Sequence, residues 1–292
     1  MLRAYEWVLA ANFVYLSALA VVLPLPWRVR AVVLGLNAAV LAGCALLAYA
    51  DKFRHGLLLG TIRDWYSFPL TLLTYREMGW FAQPQTSHAL EQAWVAWDRA
   101  LLAGGLRAVV ESLGPILPAL LELSYMLVYA LGPFAVATLY VYRRRERTGD
   151  FLFLFLTGVL LAYGQFPFWP SEPPRTVFPG QDFPAYTSAF RRFNWWYLGS
   201  QGIHTSVFPS AHVSGAFSAA FGMLRCLPEH RWVGRLLLAL AILIATATVY
   251  GRYHYFADAA AGLVVALAAL GISMIRSRVA RSTAPLEKTI GW

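Results

Sequence analysis

The stretch FLFLFLTGVLLAYGQFPFWPS, residues 151–171, decides the class of this protein, because it runs for 21 residues without a charged side chain. An α-helix rises about 1.5 Å per residue, so about 20 apolar residues cross the hydrocarbon core of a bilayer. Asp150 precedes the stretch and Glu172 follows it, so the uncharged run has this length and no more. The stretch therefore predicts a transmembrane helix.

Similar runs occur elsewhere along the chain. Uncharged segments of 20 or 21 residues lie at 7–27, 31–50 and 123–142, and shorter ones of 16 and 17 residues lie at 236–251 and 259–275. Only 13% of the residues are charged, against about 25% in soluble domains, and 59% are hydrophobic, which excludes a disordered chain. We therefore expect an all-α, polytopic membrane helical bundle of about seven to eight transmembrane segments.

Basic residues produce the formal net charge of +9, and they are concentrated in the connections between the apolar runs. By the positive-inside rule, the basic segments 142–150, 225–235 and 276–292 lie on the cytoplasmic side. Contacts with anionic lipid explain this charge, so we expect no nucleic-acid partner. Cys44 lies within an apolar run and Cys226 in a cytoplasmic loop, which argues against a disulfide or a cysteine-bound metal.

The topology follows when the segments alternate from these basic loops. Segment 171–207 is then an ordered outer connection, and segment 208–224 re-enters the membrane. Segment 56–82 leaves two alternatives, because it contains charged residues among apolar ones: a broken spanning helix gives eight crossings, and an interfacial helix gives seven. We favour the even count, with both termini inside. Segment 83–112 predicts an amphipathic helical connection on the outer side.

The first group of chemically capable residues is FPSAH, residues 208–212, at the start of the re-entering segment. Pro209 predicts a helix start here, which leaves the first N–H groups of the helix unpaired and directed to the outer side. Such N–H groups form an anion site, and the small residues Ser210 and Ala211 let a phosphate approach them. The Ser210 hydroxyl adds a donor, and His212 is placed to protonate a leaving alkoxide.

The second group is GRYHYFAD, residues 251–258, at the outer end of the next predicted span. If the stretch is helical, His254 and Asp258 share a face, so the carboxylate holds one imidazole nitrogen and leaves the other free as a nucleophile. Arg252 is a planar cation suited to phosphate oxygens. Because both groups lie on the same outer side, we expect them to converge on one site.

Two weaker candidates lie in the outer connection 171–207. Pro173 and Pro174 fix the local backbone and direct Arg175 towards the same anion. His204 lies further along the same connection. Arg175 and Arg252 also suit snorkelling anchors at the membrane surface, and His204 also suits a structural role, so both interpretations stay open for these three residues.

The two groups resemble motifs of the type 2 phosphatidic acid phosphatase (PAP2) superfamily of membrane lipid phosphatases and phosphotransferases. Phe208–His212 is similar to the second motif, Pro-Ser-x-His, and His254–Asp258 is similar to the His-x-x-x-Asp core of the third; the resemblance covers roughly residues 165–262. It implies that His254 is a nucleophile that becomes a phosphohistidine, with Asp258 orienting it and His212 as general acid. It also implies that Ser210 binds phosphate and that no metal or cofactor is required.

The chain departs from the family pattern at two places. The usual first motif, a Lys followed by Arg-Pro, is absent before the outer connection, and Pro173-Pro174-Arg175 is the nearest substitute. The third motif usually has an Arg six residues before its His, where this chain has Thr248, and the Arg here is Arg252. Both departures resemble the branch that includes inositol phosphorylceramide synthase and sphingomyelin synthase.

These observations favour a lipid phosphatase or phosphotransferase that acts on a lipid phosphate or phospholipid at the outer membrane face. A headgroup transferase to a lipid alcohol is the alternative, and a non-catalytic lipid-binding or transport protein is a third possibility. We expect N-terminal membrane helices in 1–112, a PAP2-like catalytic membrane core in 113–276 and a cytoplasmic tail in 277–292. The Ala-, Leu- and Arg-rich composition is compatible with a bacterial plasma membrane, and the sequence gives no indication of the oligomeric state.

Overall fold

The computed structural model describes residues 1–54, 56–82, 87–203 and 205–282, and this part of the chain is helical and contains no strand. The all-α fold expected from the sequence is confirmed. The α-helices of the described residues are α1 (Ala4–Val22), α2 (Trp27–Arg54), α3 (Leu57–Trp65), α4 (Ser67–Phe81), α5 (Ala89–Leu101), α6 (Arg107–Glu111), α7 (Ile116–Leu127), α8 (Leu131–Val141), α9 (Thr148–Tyr163), α10 (Pro174–Val177), α11 (Ala189–Gln201), α12 (Ala211–Cys226), α13 (Arg231–Tyr250) and α14 (Phe256–Ser282). Of the tail expected at 277–292, residues 283–292 lie outside the described residues.

Six helical stretches of the described residues are long and apolar enough to cross a membrane, as expected of a multi-pass membrane protein. They are Ala4–Val22, Trp27–Phe53, Ile116–Val141, Arg145–Phe168, Pro228–Tyr250 and Phe256–Ser282. The expected count of seven to eight is therefore higher than the structure shows. The difference lies in segments 56–82 and 208–224, because α4 has 15 residues and α12 has 16, fewer than the roughly 20 that a bilayer core requires.

The two ends of the bundle carry different chemistry. Helix α12 begins beside α14, where the N–H of Ser210 donates to the carbonyl of Asp258 over 2.9 Å; we call this end the site end. Helix α12 finishes at Cys226, whose carbonyl accepts a hydrogen bond from Nη1 of Arg147 over 3.0 Å. This second end, which holds the arginines of 143–147, we call the basic end.

Helix α12 is the central element of the bundle and packs on α9, α13 and α14. Glycines allow these contacts to be close: a Cβ at Gly158 on α9 would overlap the side chain of Ser218 on α12. A Cβ at Gly262 on α14 would lie 2.5 Å from the carbonyl oxygen of Ser210. Small residues at helix contacts are the usual means of close packing in membrane proteins. They bring the first turns of α12 and α14 together at the site end.

Segment 56–82 is a pair of helices, α3 and α4, and its charged residues pair inside the protein. Nε of Arg63 donates to Glu6 on α1 over 2.8 Å, and both side chains are buried. The carboxylate of Asp64 accepts a hydrogen bond from Nε of Arg145 over 2.9 Å. Buried charges in membrane proteins are stabilised by such pairs. These pairs place the N-terminus and α3 at the basic end.

Helix α4 reaches the opposite end of the bundle. The carbonyl of Ala82, just after α4, accepts a hydrogen bond from the Thr205 hydroxyl over 2.7 Å. The Tyr75 hydroxyl accepts the N–H of Ile203 over 2.9 Å. Segment 56–82 thus connects the basic end to the site end as a pair of short helices.

Helix α5 forms the amphipathic connection expected within 83–112, and it lies against α14 and α10. Its polar side includes Arg99, which pairs with Asp182 over 3.0 Å. Its buried side includes Trp94 and the fully buried carboxylate of Asp98. Helix α5 therefore covers the site end and brings a carboxylate into it.

Candidate active site

Two histidines meet at the site end. His254 follows α13 in the connection to α14, and His212 lies in the first turn of α12. Nε2 of His254 is 3.3 Å from Nδ1 of His212. The two sequence groups, 42 residues apart, are thus adjacent in the fold, as their shared side of the membrane predicted.

The other nitrogen of His254 is held by two oxygens. Nδ1 lies 3.1 Å from the backbone carbonyl oxygen of Val207 and 3.4 Å from Oδ2 of Asp258. A carbonyl oxygen can only accept a hydrogen bond, so this contact assigns the proton to Nδ1. Nε2 then presents its lone pair towards His212, which is the state a nucleophile requires.

Asp258 is fully buried in the first turn of α14. Its Oδ2 also accepts the N–H of Tyr255 over 2.8 Å, which ties the start of the helix to the carboxylate. The same oxygen therefore faces both the helix start and the imidazole of His254. This geometry fixes the distance between α14 and the His254 ring.

His254 is electrically neutral at physiological pH in this environment. Burial disfavours the imidazolium, and the nearby cation of Arg175 adds to that effect, so that the pKa of His254 falls from 6.5 to about 3. The carbonyl of Val207 acts in the opposite direction but is the smaller cause. Nε2 of His254, the atom that would attack phosphorus, thus carries no proton, and no separate base is needed to remove one.

The ring of His212 is held by aromatic contacts. It stacks on Tyr125 of α7 with ring centroids 4.8 Å apart and planes 16° apart, and Tyr129 meets it edge-on at 6.0 Å. Its Nε2 is buried and has no hydrogen-bond partner among the described residues. A buried polar atom of this kind normally has a partner, so Nε2 is open to a bound ligand.

The start of α12 uses its serine as a helix cap. The Ser210 hydroxyl accepts the N–H of Val213 over 3.3 Å, and Ser210 is fully buried. In an α-helix the first N–H groups have no intrahelical partner, which here are those of Ala211 and His212. Ala211 lines the cavity described below, whereas Ser210 does not. The Ser210 hydroxyl is therefore used for the cap, and the two residues whose N–H groups the helix leaves unpaired, Ala211 and His212, line the cavity.

Arg175 is the cation that the structure places beside the two histidines. Pro174 occupies the first position of α10, and the N–H of Arg175 donates to the carbonyl of Arg252 over 3.3 Å. Nη1 of Arg175 donates to the carbonyl of Tyr253 over 3.3 Å, and its guanidinium lies 5.7 Å from the Tyr253 ring centroid. Arg175 lines the same cavity as His212 and His254.

Arg252 is not brought to the cavity, which differs from the expectation that it contacts phosphate. Its guanidinium is fully buried, and Nη1 pairs with Oδ2 of Asp98 on α5 over 2.6 Å. Oδ1 of Asp98 also accepts the N–H of Phe256 over 2.7 Å. The pair holds both sides of the turn that carries His254. The remaining candidate, His204, lies outside the described residues.

An apolar cavity of about 510 Å³ extends from the two histidines into the bundle. Its walls come from α4, from the α7–α8 region, from α9 and from the outer connection, and most of them are aromatic or aliphatic. They include Phe68, Leu72, Tyr75, Val128, Phe155, Val159 and Tyr163. Arg76 and Gln201 are polar members of the lining, near the site end. A site with polar groups at one end and hydrocarbon walls suits an amphiphilic ligand.

Several site residues were not identified from the sequence. Asp98 is a buried acid of the amphipathic helix α5, Glu122 is a buried acid of α7, and Tyr125 is one aromatic residue among many. The signal for Glu122 was present, because this acid directly precedes the uncharged run 123–142. The backbone carbonyl of Val207 carries no side-chain signal, and only the folded structure shows its contact.

No group of three or more metal-ligating side chains occurs within the described ranges.

Comparison with known proteins gives one family. A PA-phosphatase related-family protein of Dictyostelium discoideum is 27% identical over 128 residues, which are 42% of this chain. The chain spans only 22% of the length of that relative. No solved structure gives a significant match. The family model of the PAP2 superfamily matches residues 92–272, which run from within α5 to within α14 and include His212, His254, Asp258 and Arg175, so the chain belongs to the PAP2 superfamily.

Proposed function

We propose that the protein is a metal-independent lipid phosphatase or phosphotransferase that cleaves a phosphoester or pyrophosphate bond of a lipid through a phosphohistidine on His254. The observation that carries the proposal is the unprotonated Nε2 of His254, which faces His212 over 3.3 Å in the wall of an apolar cavity. A nucleophile and a proton donor within contact distance are the two groups that a two-step phosphoryl transfer requires.

In the first half-reaction, Nε2 of His254 attacks phosphorus, a P–N bond forms and the P–O bond to the leaving group breaks. His212, protonated beside the anionic substrate, gives its proton to the leaving oxygen. The phosphorylated ring of His254 keeps its Nδ1 proton and carries a positive charge. The carboxylate of Asp258, 3.4 Å from Nδ1, stabilises that charge.

In the second half-reaction, His212 is neutral and accepts a proton from the incoming hydroxyl. The oxygen of that hydroxyl attacks phosphorus, the P–N bond breaks and His254 returns to its starting state. Water as the acceptor gives a phosphatase, and a lipid hydroxyl gives a headgroup transferase. The same residues serve both outcomes, so the acceptor depends on which hydroxyl reaches the phosphorus.

The negative charge of the phosphoryl group is met by groups already in place. The Arg175 guanidinium borders the cavity, and the N–H groups of Ala211 and His212 lie at the start of α12. A planar cation and a helix N-terminus are both suited to phosphate oxygens. These groups supply the charge stabilisation that metal ions provide in other phosphoryl transfer enzymes.

We further propose that the reaction takes place at the extracytoplasmic face. The basic end of the bundle, with the arginines of 143–147, is opposite the site end. Positively charged connections remain on the cytoplasmic side of membrane proteins, which leaves the site end outside. The apolar cavity then receives the hydrocarbon part of a lipid phosphate while its phosphate lies at the two histidines.

One observation favours the transferase as a second candidate. A smaller cavity of about 350 Å³ borders Arg175 on the side of α11, and its walls include Thr176, Phe183 and Trp195. Arg175 and Leu198 belong to the lining of both cavities. A phosphodiester has two substituents, and the two cavities give each of them a place on either side of the arginine.

The test uses the purified full-length chain and its His254→Ala variant in detergent with a panel of lipid phosphates and phospholipids. Inorganic phosphate and lipid products are followed together. Phosphate release that the variant loses establishes a phosphatase, and a new phospho-headgroup lipid without free phosphate establishes a transferase. Binding of lipid without turnover in both proteins would instead support a non-catalytic function.

A chelator tests the metal-independent part of the proposal separately. We expect no change of turnover on addition of the chelator. Inhibition that added metal reverses would contradict this part and leave the role of His254 in place.

A further inference from the structure

Glu122 is a carboxylate in an unusual place, in the middle of α7 and 3% exposed. Helix α7 belongs to one of the six apolar stretches, Ile116–Val141. An ionisable side chain in such a helix is expensive to bury and is kept only where partners satisfy it. The partners of Glu122 therefore indicate what it does.

Three side chains donate hydrogen bonds to this carboxylate. Arg191 of α11 donates to Oε1 over 2.7 Å, Asn194 donates to Oε2 over 2.9 Å and the Tyr253 hydroxyl donates to Oε2 over 2.6 Å. All three are buried. Arg191 also donates from Nη2 to the carbonyl of Gly251 over 3.3 Å. Two of these bonds thus reach the turn 251–255 that carries His254.

Tyr253 is also the first ring of an aromatic stack. Its ring lies 4.1 Å from that of Tyr125, with planes 17° apart, and Tyr125 stacks in turn on His212. Glu122 and Tyr125 are three residues apart on α7, so they lie on the same face of that helix. One face of α7 therefore contacts Tyr253 twice: Glu122 binds its hydroxyl and Tyr125 stacks on its ring.

We propose that Glu122 is a positioning residue for both histidines of the site, and that it acts through Tyr253 and Tyr125. This inference rests on the proposed function, because it assigns Glu122 a part in the same phosphoryl transfer. Tyr253 directly precedes His254, and its carbonyl accepts the hydrogen bond of Arg175. A shift of the Tyr253 ring would therefore displace the nucleophile, the phosphate-facing arginine and, through Tyr125, the proton donor.

The structure contains a matched control for the Tyr253–Glu122 bond. Tyr250, three residues earlier, is equally buried, and its hydroxyl donates to Oε1 of Glu111 over 2.9 Å. Tyr250 stacks on neither histidine. Tyr250→Phe and Tyr253→Phe each remove one buried hydroxyl and its bond to a glutamate.

The first experiment compares kcat and KM of these two variants with those of the wild type. We expect Tyr253→Phe to lower kcat by about tenfold with KM changed less than twofold, because displaced reacting groups slow the chemical step more than binding. Tyr250→Phe should keep the wild-type kcat. Equal losses in both variants, or no loss in either, would overturn the proposal.

The second experiment separates positioning from general stability of the fold. Tyr125→Leu removes the ring that stacks on His212, and Tyr125→Phe keeps it. For lipid phosphates whose leaving alcohols differ in pKa, we expect the kcat of Tyr125→Leu to fall most with the poorest leaving group, since proton donation by His212 matters most there. Tyr125→Phe should restore most of that loss. A uniform loss over all leaving groups would show a structural role only and would overturn the proposal.

The third experiment changes the glutamate itself, in the variant Glu122→Gln. The wild type and His254→Ala are measured beside it, so that a failure of the positioning role can be told from a failure of the proposed function. The amide keeps one acceptor oxygen in place of two and loses the negative charge that faces Arg191, so we expect the same dependence on the leaving group as in Tyr125→Leu. A double variant, Glu122→Gln with Tyr253→Phe, should lose little more than the worse single variant, because both changes break one network. Additive losses would overturn the coupling, whereas activity that survives His254→Ala would overturn the proposed function itself.

Discussion

The backbone carbonyl oxygen of Val207 lies 3.1 Å from Nδ1 of His254, closer than the carboxylate of Asp258, which lies at 3.4 Å. The two oxygens do different things for the same nitrogen. The carbonyl fixes the tautomer, since it can only accept a hydrogen bond. The carboxylate brings a negative charge, which matters when His254 carries a phosphoryl group. The spacing of His254 and Asp258 suggested that the carboxylate alone orients the imidazole. In the structure the backbone carbonyl of Val207 shares that role.

This division leads to a prediction for Asp258→Asn. The amide oxygen can still accept the N–H of Tyr255, and Val207 still holds the proton on Nδ1 of His254. We expect kcat to fall by about 10- to 100-fold, because the charge that stabilises the phosphohistidine is lost. Product formation by Asp258→Asn should therefore remain measurable, in contrast to His254→Ala. If both variants lack turnover equally, the carboxylate and not the carbonyl orients the imidazole.

A second prediction concerns the pH dependence of kcat/KM. The reaction requires neutral His254, and protonation of the ring inactivates it as the pH falls. Because burial and Arg175 lower the pKa of His254 to about 3, this group should cause no loss of activity between about pH 5 and pH 7. Rates measured in a series of buffers of constant ionic strength test this expectation.

Arg175→Gln provides the control for that profile. Removal of the positive charge raises the pKa of His254, so the acid limb of the profile should move to higher pH. An acid limb that stays in place would contradict the electrostatic effect of Arg175, even if the rate falls at every pH.

A third prediction concerns the buried pair of Arg252 and Asp98. Both side chains are fully buried, and Nη1 of Arg252 lies 2.6 Å from Oδ2 of Asp98. Asp98→Asn leaves the guanidinium without its counter-charge, so we expect a loss of about 3 to 5 kcal/mol in the free energy of unfolding. Thermal unfolding of the detergent-solubilised protein, followed by tryptophan fluorescence, measures this as a lower Tm.

The contrasting variant is Arg175→Ala, at a half-buried arginine that the proposed function places on phosphate. It should raise KM and leave Tm close to that of the wild type. If Asp98→Asn unfolds like the wild type, the pair does not hold the turn that carries His254.

The burial of Arg252 illustrates how far the sequence can lead. The sequence places His212 and His254 on one side of the membrane, and the two rings do meet there. It also identifies Arg252 as a cation near the site, but its partner Asp98 lies 154 residues away in the chain. Periodicity and charge describe each segment on its own, so they could not reveal that Arg175 lines the cavity and that Arg252 pairs with Asp98 outside it.

The difference between the expected seven to eight crossings and the six apolar stretches also arises from packing between segments. Apolar length identifies helices that cross hydrocarbon, and the runs 151–171 and 259–275 overlap the helical stretches Arg145–Phe168 and Phe256–Ser282. Helix α12 is enclosed by α9, α13 and α14, so its neighbours rather than lipid set its length. Its 16 residues are therefore fewer than the roughly 20 on which the expected count was based.

The last prediction addresses the two cavities that meet at Arg175. Gly199 of α11 borders the smaller one, and a Cβ at this position would meet no atom within 4 Å. Gly199→Leu should therefore be tolerated by the fold and should fill part of that space. If the smaller cavity holds the headgroup of a phosphodiester, the variant should lower kcat/KM for a diester lipid by about tenfold more than for a monoester lipid phosphate.

Gly43→Leu is the matched control, because a Cβ at Gly43 on α2 would also meet no atom within 4 Å and Gly43 lines neither cavity. It should keep the wild-type ratio of diester to monoester turnover. If Gly199→Leu slows both substrates equally, the smaller cavity does not discriminate between them. The headgroup would then leave by another route, and a phosphatase acting on monoesters would be the function that the site supports.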